Sequence, residues 1–146
     1  MGLLEDLGSG PVALDSAIFI YFIEEHRELL PLVRPVFAAI AGGDLKAVTS
    51  SITLLEVRVL PLRLGLASLA DRYEAFLTQS GNLKLVEIDH PLLRVAAHLR
   101  AITRIKTPDA LQLAAATVAG CTAFLTNDRE LPSLPGLRVV KLREYL

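Results

Sequence analysis

The stretch Thr107-Pro108-Asp109-Ala110-Leu111-Gln112-Leu113-Ala114-Ala115-Ala116, followed by Gly120 and then by Ala123-Phe124-Leu125-Thr126-Asn127-Asp128, decides how this chain is read. Thr107 before a proline predicts an N-cap with Pro108 at the first helical position, small and apolar residues carry the helix to Val118, and Gly120 stops it. Ala123 to Leu125 then reads as a short apolar strand. A helix, a stop and an apolar strand are the second half of a β-α-β unit, whose parallel strands are covered by helices on both faces.

The same alternation continues outward. Strands are expected at Pro11 to Leu14, Lys46 to Thr49, Leu83 to Ile88 and Leu137 to Leu142. Between them, helical spacing predicts Ser16 to Glu25, Leu30 to Ala41, Ile52 to Leu64, Leu66 to Thr78 and Pro91 to Ile102. Gly42-Gly43 and Gly65 sit where helix ends are wanted. Pro61 lies inside an otherwise helical stretch and is expected to end or kink it near Leu60. Leu66, Leu69, Tyr73, Phe76 and Leu77 form one apolar stripe; Leu92, Val95, Ala96, Leu99 and Ile102 form another. The fold class is therefore α/β: three layers, α/β/α, around a central parallel sheet.

The chain has 146 residues, of which 52% are hydrophobic, enough for one domain spanning 1–146 with a substantial core. Fifteen Lys and Arg against sixteen Asp and Glu leave a net charge of -1, so any grip on nucleic acid has to be local. Mean hydropathy is +0.46. Charge or proline nevertheless interrupts every apolar run well short of the ~20 residues a bilayer requires, so no membrane partner is expected. The sequence shows no basic segment leading into an apolar run, and the lone Cys121 has neither a disulfide nor a CxxC partner. Both features point to a reducing compartment, the cytoplasm.

Four acids stand out. Asp15 follows the strand at Val12-Ala13-Leu14, and Asp128 follows the strand at Ala123. In open parallel sheets, ligands bind beyond the carboxyl ends of the strands, where the strand order reverses. Each acid alone could simply cap a helix. Glu56 is flanked at helical spacing by Ile52, Val59 and Leu60, so it interrupts an apolar stripe, and a carboxylate buried there needs a basic partner, a proton, water or a cation. Asp109 sits in a helical first turn, where the dipole favours it, on a stripe running through Ile105, Leu113 and Ala116. One cause would account for all four: a pocket gathering carboxylates around Mg²⁺ or Mn²⁺. These ions prefer oxygen ligands, and nucleases often use them in pairs on phosphodiesters. Such ions would also reverse a local field that otherwise repels phosphate. Asp15 and Asp109 are expected to bind the principal ion, with Glu56 and Asp128 completing the site. His26, His90 and His98 show no mutual ligand spacing. Arg58, Arg63, Arg104, Lys106 and Arg129 are candidate phosphate contacts.

In order and spacing, Val12-Ala13-Leu14-Asp15-Ser16, Leu55-Glu56-Val57, Thr107-Pro108-Asp109-Ala110 with its Ala-rich helix, and Phe124-Leu125-Thr126-Asn127-Asp128-Arg129 resemble the PIN-domain toxins of VapC type. The resemblance spans nearly the whole chain. It implies an α/β/α fold, Mg²⁺- or Mn²⁺-dependent endoribonuclease activity, an RNA substrate, a cognate antitoxin that blocks the site, and a toxin homodimer. Carried across, Asp15, Glu56, Asp109 and Asp128 fall on the acidic positions, Thr126 on a supporting hydroxyl and Ser16 on a small hydroxylated neighbour of the first acid. Ala17 stands where many relatives have asparagine, and Glu130 where a further aspartate is frequent.

Two other functions compete. An aspartyl-phosphate enzyme of haloacid-dehalogenase type would need an Asp-x-Asp motif, and Ala17 occupies the second position. A catalytically inactive RNA-binding or protein-interaction module would keep the fold without keeping all four acids.

Overall fold

The computed structural model describes residues 2–146. Its centre is a five-stranded sheet in the order β3-β2-β1-β4-β5, every neighbouring pair parallel. The strands are β1 (Val12–Leu14), β2 (Ala47–Ser50), β3 (Leu83–Val86), β4 (Ala123–Thr126) and β5 (Arg138–Lys141). β1, β2 and β4 are buried throughout, whereas the edge strands β3 and β5 are partly exposed. This grading follows from position, because only inner strands are flanked by strands as well as by helices.

The helices are α1 (Leu3–Leu7), α2 (Ser16–Ile23), α3 (Leu30–Ala41), α4 (Ile52–Arg63), α5 (Ala67–Gln79), α6 (His90–Ile102) and α7 (Thr107–Val118), with a closing 3-10 turn at Leu142–Tyr145. Alternate strand residues feed two separate cores. Val12, Leu14, Ala47, Leu125 and Val140 pack with α1, α2, α3 and α5, where Phe19, Phe22, Phe37 and Phe76 form an aromatic cluster. Ala13, Val48, Val86 and Phe124 face the other way, onto α6 and α7. The Ala-rich run Ala114-Ala115-Ala116 is fully buried there, since small side chains let a helix lie close to the sheet.

Three local expectations need correction. Helix α7 begins at Thr107 itself, capped by Lys106 with extended backbone, and Pro108 takes the second helical position. The Thr107 hydroxyl instead accepts a hydrogen bond from Arg100 Nη1 at 3.0 Å. Pro61 does not stop α4, which runs on to Arg63. Only the last turn follows it, and the Pro61 carbonyl accepts from the Leu66 N–H at 2.8 Å in the turn to α5, so few backbone bonds are lost. Nor is the stripe around Glu56 a core stripe: Leu55, Val59, Leu60 and Leu62 of α4 all face solvent.

The reversal of strand order lies between β1 and β4. From β1 the chain winds outward to β2 and β3, then crosses back to β4 and continues the opposite way to β5. The Asp15 N–H donates to the Leu125 carbonyl at 3.0 Å, which locks the carboxyl ends of these two strands side by side.

Candidate active site

Asp15 is the first residue past β1 and the N-cap of α2. Its Oδ1 accepts from the Ser16 N–H at 2.8 Å, so the capping role is real. Its Oδ2 accepts from the Thr126 hydroxyl at 2.6 Å, across the strand boundary. Thr126 is fully buried, and its oxygen also accepts from the Asp128 N–H at 3.0 Å. One hydroxyl thus fixes Asp15 and the loop leaving β4 together. Asp128 is exposed and closes a turn, its Oδ1 accepting from the Glu130 N–H at 2.9 Å; it caps no helix.

Glu56 reaches the same crevice from α4. Its Oε1 accepts from the Ser16 hydroxyl at 2.5 Å. Beneath Ser16 lies a buried polar chain absent from the sequence-level expectation. The Gln112 amide donates to Ser16 Oγ at 3.2 Å and to Thr53 Oγ1 at 2.8 Å, and its Oε1 accepts from the Ser50 N–H at 3.2 Å. Thr53 and Thr49 hydroxyls lie 2.6 Å apart, and Thr49 donates to the Leu14 carbonyl at 2.8 Å. Gln112 is 2% exposed, so it is a positioning residue: it holds the hydroxyl that holds Glu56. A lone polar residue between Leu111 and Leu113 in a buried helix was the available signal.

Asp109 enters from the first turn of α7, half-buried, as its stripe implied. Burial pushes its carboxyl above the ordinary 3.8, helped by the charges of Asp15, Asp128 and Glu56 and opposed by Lys106. Burial likewise pushes Asp15 up, with Glu56 and Asp128 adding to it, while the bonds from Thr126 and Ser16 pull the other way. The four acids therefore share one field. Among the described residues none of the four forms an ion pair: Arg58 is committed to Asp71 and Glu74 of α5, at 3.2 and 3.0 Å. That removes both the salt-bridge explanation for Glu56 and Arg58 as a free phosphate contact.

A cleft of about 340 Å³ opens beside the acids, lined by Thr103, Arg104, Ile105, Lys106, Asp109, Asp128, Glu130, Leu131 and Pro132. It brings the expected cations Arg104 and Lys106 to the site and puts Glu130 on its wall. Among the described residues no three Asp, Glu, His or Cys side chains stand close enough together to hold a metal ion as they are placed. Repulsion among the four carboxylates is offset at Asp109 by the charge of Lys106. The donor set itself, all hard oxygen and in no ion pair among the described residues, has the chemistry that Mg²⁺ or Mn²⁺ prefers.

The PIN domain family model matches residues 12–137. The chain belongs to the PIN domain family. No curated protein matches it in sequence. Solved structures show the same fold at low identity. VapBC2 from Rickettsia felis, bound to a promoter DNA fragment, has a TM-score of 0.69 at 18% identity, covering 89% of this chain and 97% of that one. A toxin-antitoxin complex from Klebsiella pneumoniae has 0.64 at 21%, covering 86% and 94%. Mycobacterium tuberculosis VapC20, a toxin that cleaves the sarcin-ricin loop, has 0.67 at 15%, covering 82% and 91%. The three-layer α/β/α architecture expected from the sequence is thus that of the VapC-type PIN fold. No helix among the described residues is long and apolar enough to cross a membrane.

Proposed function

We propose that this PIN-domain chain is a Mg²⁺- or Mn²⁺-dependent endoribonuclease, the toxin of a type II toxin–antitoxin pair, hydrolysing RNA phosphodiester bonds at Asp15, Glu56, Asp109 and Asp128. The observation that carries the reading is the gathering of four carboxylates, without one ion pair among the described residues, at the reversal of strand order. Such a cluster raises its own cost unless a cation resides there.

Asp15 and Asp109 would hold the ion, with Glu56 and Asp128 completing the shell. The ion would supply positive charge against the phosphate oxygens and make hydroxide available near neutral pH. The chain's own part is orientation. Thr126 and the Ser16 N–H aim Asp15, Ser16 Oγ aims Glu56, and Arg104 and Lys106 offer charge to the RNA backbone in the adjoining cleft.

Two surfaces support the partners. Between α2, α3 and α5 a groove of about 570 Å³ has an apolar floor of Phe22, Ile23, Leu30 and Phe76, with Arg34 and Arg72 beside it. It suits an apolar antitoxin segment carrying acidic residues, and similar folds are solved as toxin–antitoxin complexes. The exposed Leu55, Val59, Leu60 and Leu62 on α4, continuing to Leu64 and Leu66, suit a second copy of the chain, since an uncovered patch of this kind marks an interface. A cytoplasmic location accords with such a pair.

The test follows total RNA with the purified chain and its Asp15→Asn and Asp109→Asn variants in Mg²⁺, Mn²⁺ or EDTA. Cleavage by the unaltered chain that either variant or EDTA abolishes is the expected result. An unaltered chain that binds metal and antitoxin yet never cuts RNA would point instead to an inactive interaction module.

A further inference from the structure

A second cleft, of about 350 Å³, lies on the other side of the loop that carries Asp128, lined by Asn127, Arg129, Lys141, Arg143 and Glu144. The loop divides the two: Asp128 and Glu130 line the acidic cleft, Asn127 and Arg129 this one. Lys141 ends β5 and pairs in register with Thr126, the residue that fixes Asp15. Neighbouring strands lie about 4.8 Å apart, so the basic cleft begins one strand beyond the acids.

Three cations here face a single carboxylate. The Lys141 ammonium donates to the Arg129 carbonyl at 2.6 Å, which pins the loop while leaving two of its N–H donors free. The Arg129 guanidinium is exposed and, among the described residues, pairs with no carboxylate. Arg143 meets Glu28 at 3.6 Å, but an exposed pair of that length contributes little and can be given up to a stronger anion. Of the three, only Lys141 has a hydrogen bond that the fold uses, and its remaining donors and the two guanidinium groups are open to an anion.

We propose that this cleft is a phosphate subsite, in which Arg129, Lys141 and Arg143 hold a backbone phosphate of the RNA strand next to, not at, the bond being cut. The inference rests on the nuclease reading and adds to it a path for the substrate. RNA is favoured over an acidic protein segment because the cleft adjoins the acids through one loop. A polyanion crossing four carboxylates on a chain of net charge -1 needs anchoring cations beside them.

The experiment measures single-stranded RNA binding by the full chain bearing Asp109→Asn, in Mg²⁺ across a salt series, and cleavage by the chain with that aspartate intact. Both are repeated with Arg129→Gln, Lys141→Gln and Arg143→Gln combined. Lys84→Gln, on the opposite edge strand, is the control. The combined variant should bind about tenfold more weakly whatever the RNA sequence. Its dependence of log affinity on log salt should be shallower by about 0.7 for each phosphate no longer neutralised. Cleavage by Arg129→Gln, which leaves the bond from Lys141 to the loop in place, should show a raised KM with kcat within about threefold. Arg129→Gln alone, whose side chain supports nothing in the fold, should show the same trend even if the combined variant unfolds. RNA cut with unchanged KM and salt slope in both variants would remove the subsite and leave the nuclease. An unaltered chain that neither binds nor cuts RNA would remove both. Oligoglutamate binding abolished in these variants while RNA binding stays unmoved would assign the cleft to an acidic protein segment instead.

Discussion

Replacing Gln112 by leucine tests whether the polar chain under the site positions Glu56. The substitution deletes the bonds to Thr53 at 2.8 Å and Ser16 at 3.2 Å, the one from the Ser50 N–H at 3.2 Å and a long one from the Thr49 hydroxyl at 3.5 Å. Each contributes about 0.5–1.5 kcal/mol net, and the stranded groups are buried, so the variant should be about 2–4 kcal/mol less stable. For a domain of this size that is a fall in Tm of roughly 6–12 °C, read by thermal unfolding. Catalysis should fall further than folding explains. At a temperature where the variant is fully folded, Ser16 is free to rotate and Glu56 loses its fixed place, so kcat should drop about tenfold or more with KM nearly unchanged. Gln112→Glu, of nearly the same shape, keeps an acceptor for Ser50 but brings a buried negative charge toward Glu56, and should fail in both assays. A Gln112→Leu protein with unaltered Tm and kcat would refute the argument, because the network would then be incidental to both stability and alignment.

Asp109→Asn should abolish cleavage yet raise the Tm of the metal-free chain at neutral pH, since it removes one of four mutually repelling charges; a lower Tm would contradict the shared field. The sign of the pH dependence follows from the raised carboxyls of Asp15 and Asp109. In metal-free protein their contribution is most favourable below the ordinary 3.8 and is lost as pH rises through the higher folded-state values, a loss that Asp109→Asn should reduce in pH-dependent unfolding. Mg²⁺ or Mn²⁺ should raise the Tm of the unaltered chain, by about 2.7 kcal/mol of stability at one hundred times its Kd, and EDTA should reverse the gain. Leu60→Glu, at a residue 59% exposed on α4, should change the stability of the isolated chain by no more than about 0.5 kcal/mol while, on the proposed pairing through α4, lowering the sedimentation mass from that of two copies to that of one.

The architecture was legible because the inner strands are short runs of mostly apolar residues and most helices carry a stripe or a glycine stop; the end of α3 at Ala41 follows from Gly42-Gly43. The first helix, Leu3–Leu7, gave too short a pattern to separate from a loop, and it forms by burying Leu3 and Leu7 under the sheet rather than by any propensity of its own. The acids at Asp15 and Asp109 could be placed from strand-end and first-turn positions. The apolar spacing around Glu56 does not bury it, since Val59 and Leu60 face solvent; what places it is the Ser16 hydroxyl, forty residues away. Such long-range pairs leave no trace in local periodicity, which is also why nothing in the sequence ties Thr49, Thr53 and Gln112 to one another.

The same hydrogen bonds divide the site into a fixed half and an adjustable half. Asp15 has both oxygens engaged and Glu56 is held through Ser16, with Gln112 behind it. Asp109 makes no side-chain hydrogen bond among the described residues, and Asp128 engages only its own exposed turn. Preorganisation therefore resides on the β1 and α4 side, where the buried network can bear the cost of holding like charges near one another. The α7 and β4-loop side faces both clefts, and its carboxylates can move as charge arrives. Asp15 and Asp109 would then hold a proposed cation from a fixed and an adjustable element respectively, with Asp109 and Asp128 able to adapt to it from the cleft they line with Arg104 and Lys106.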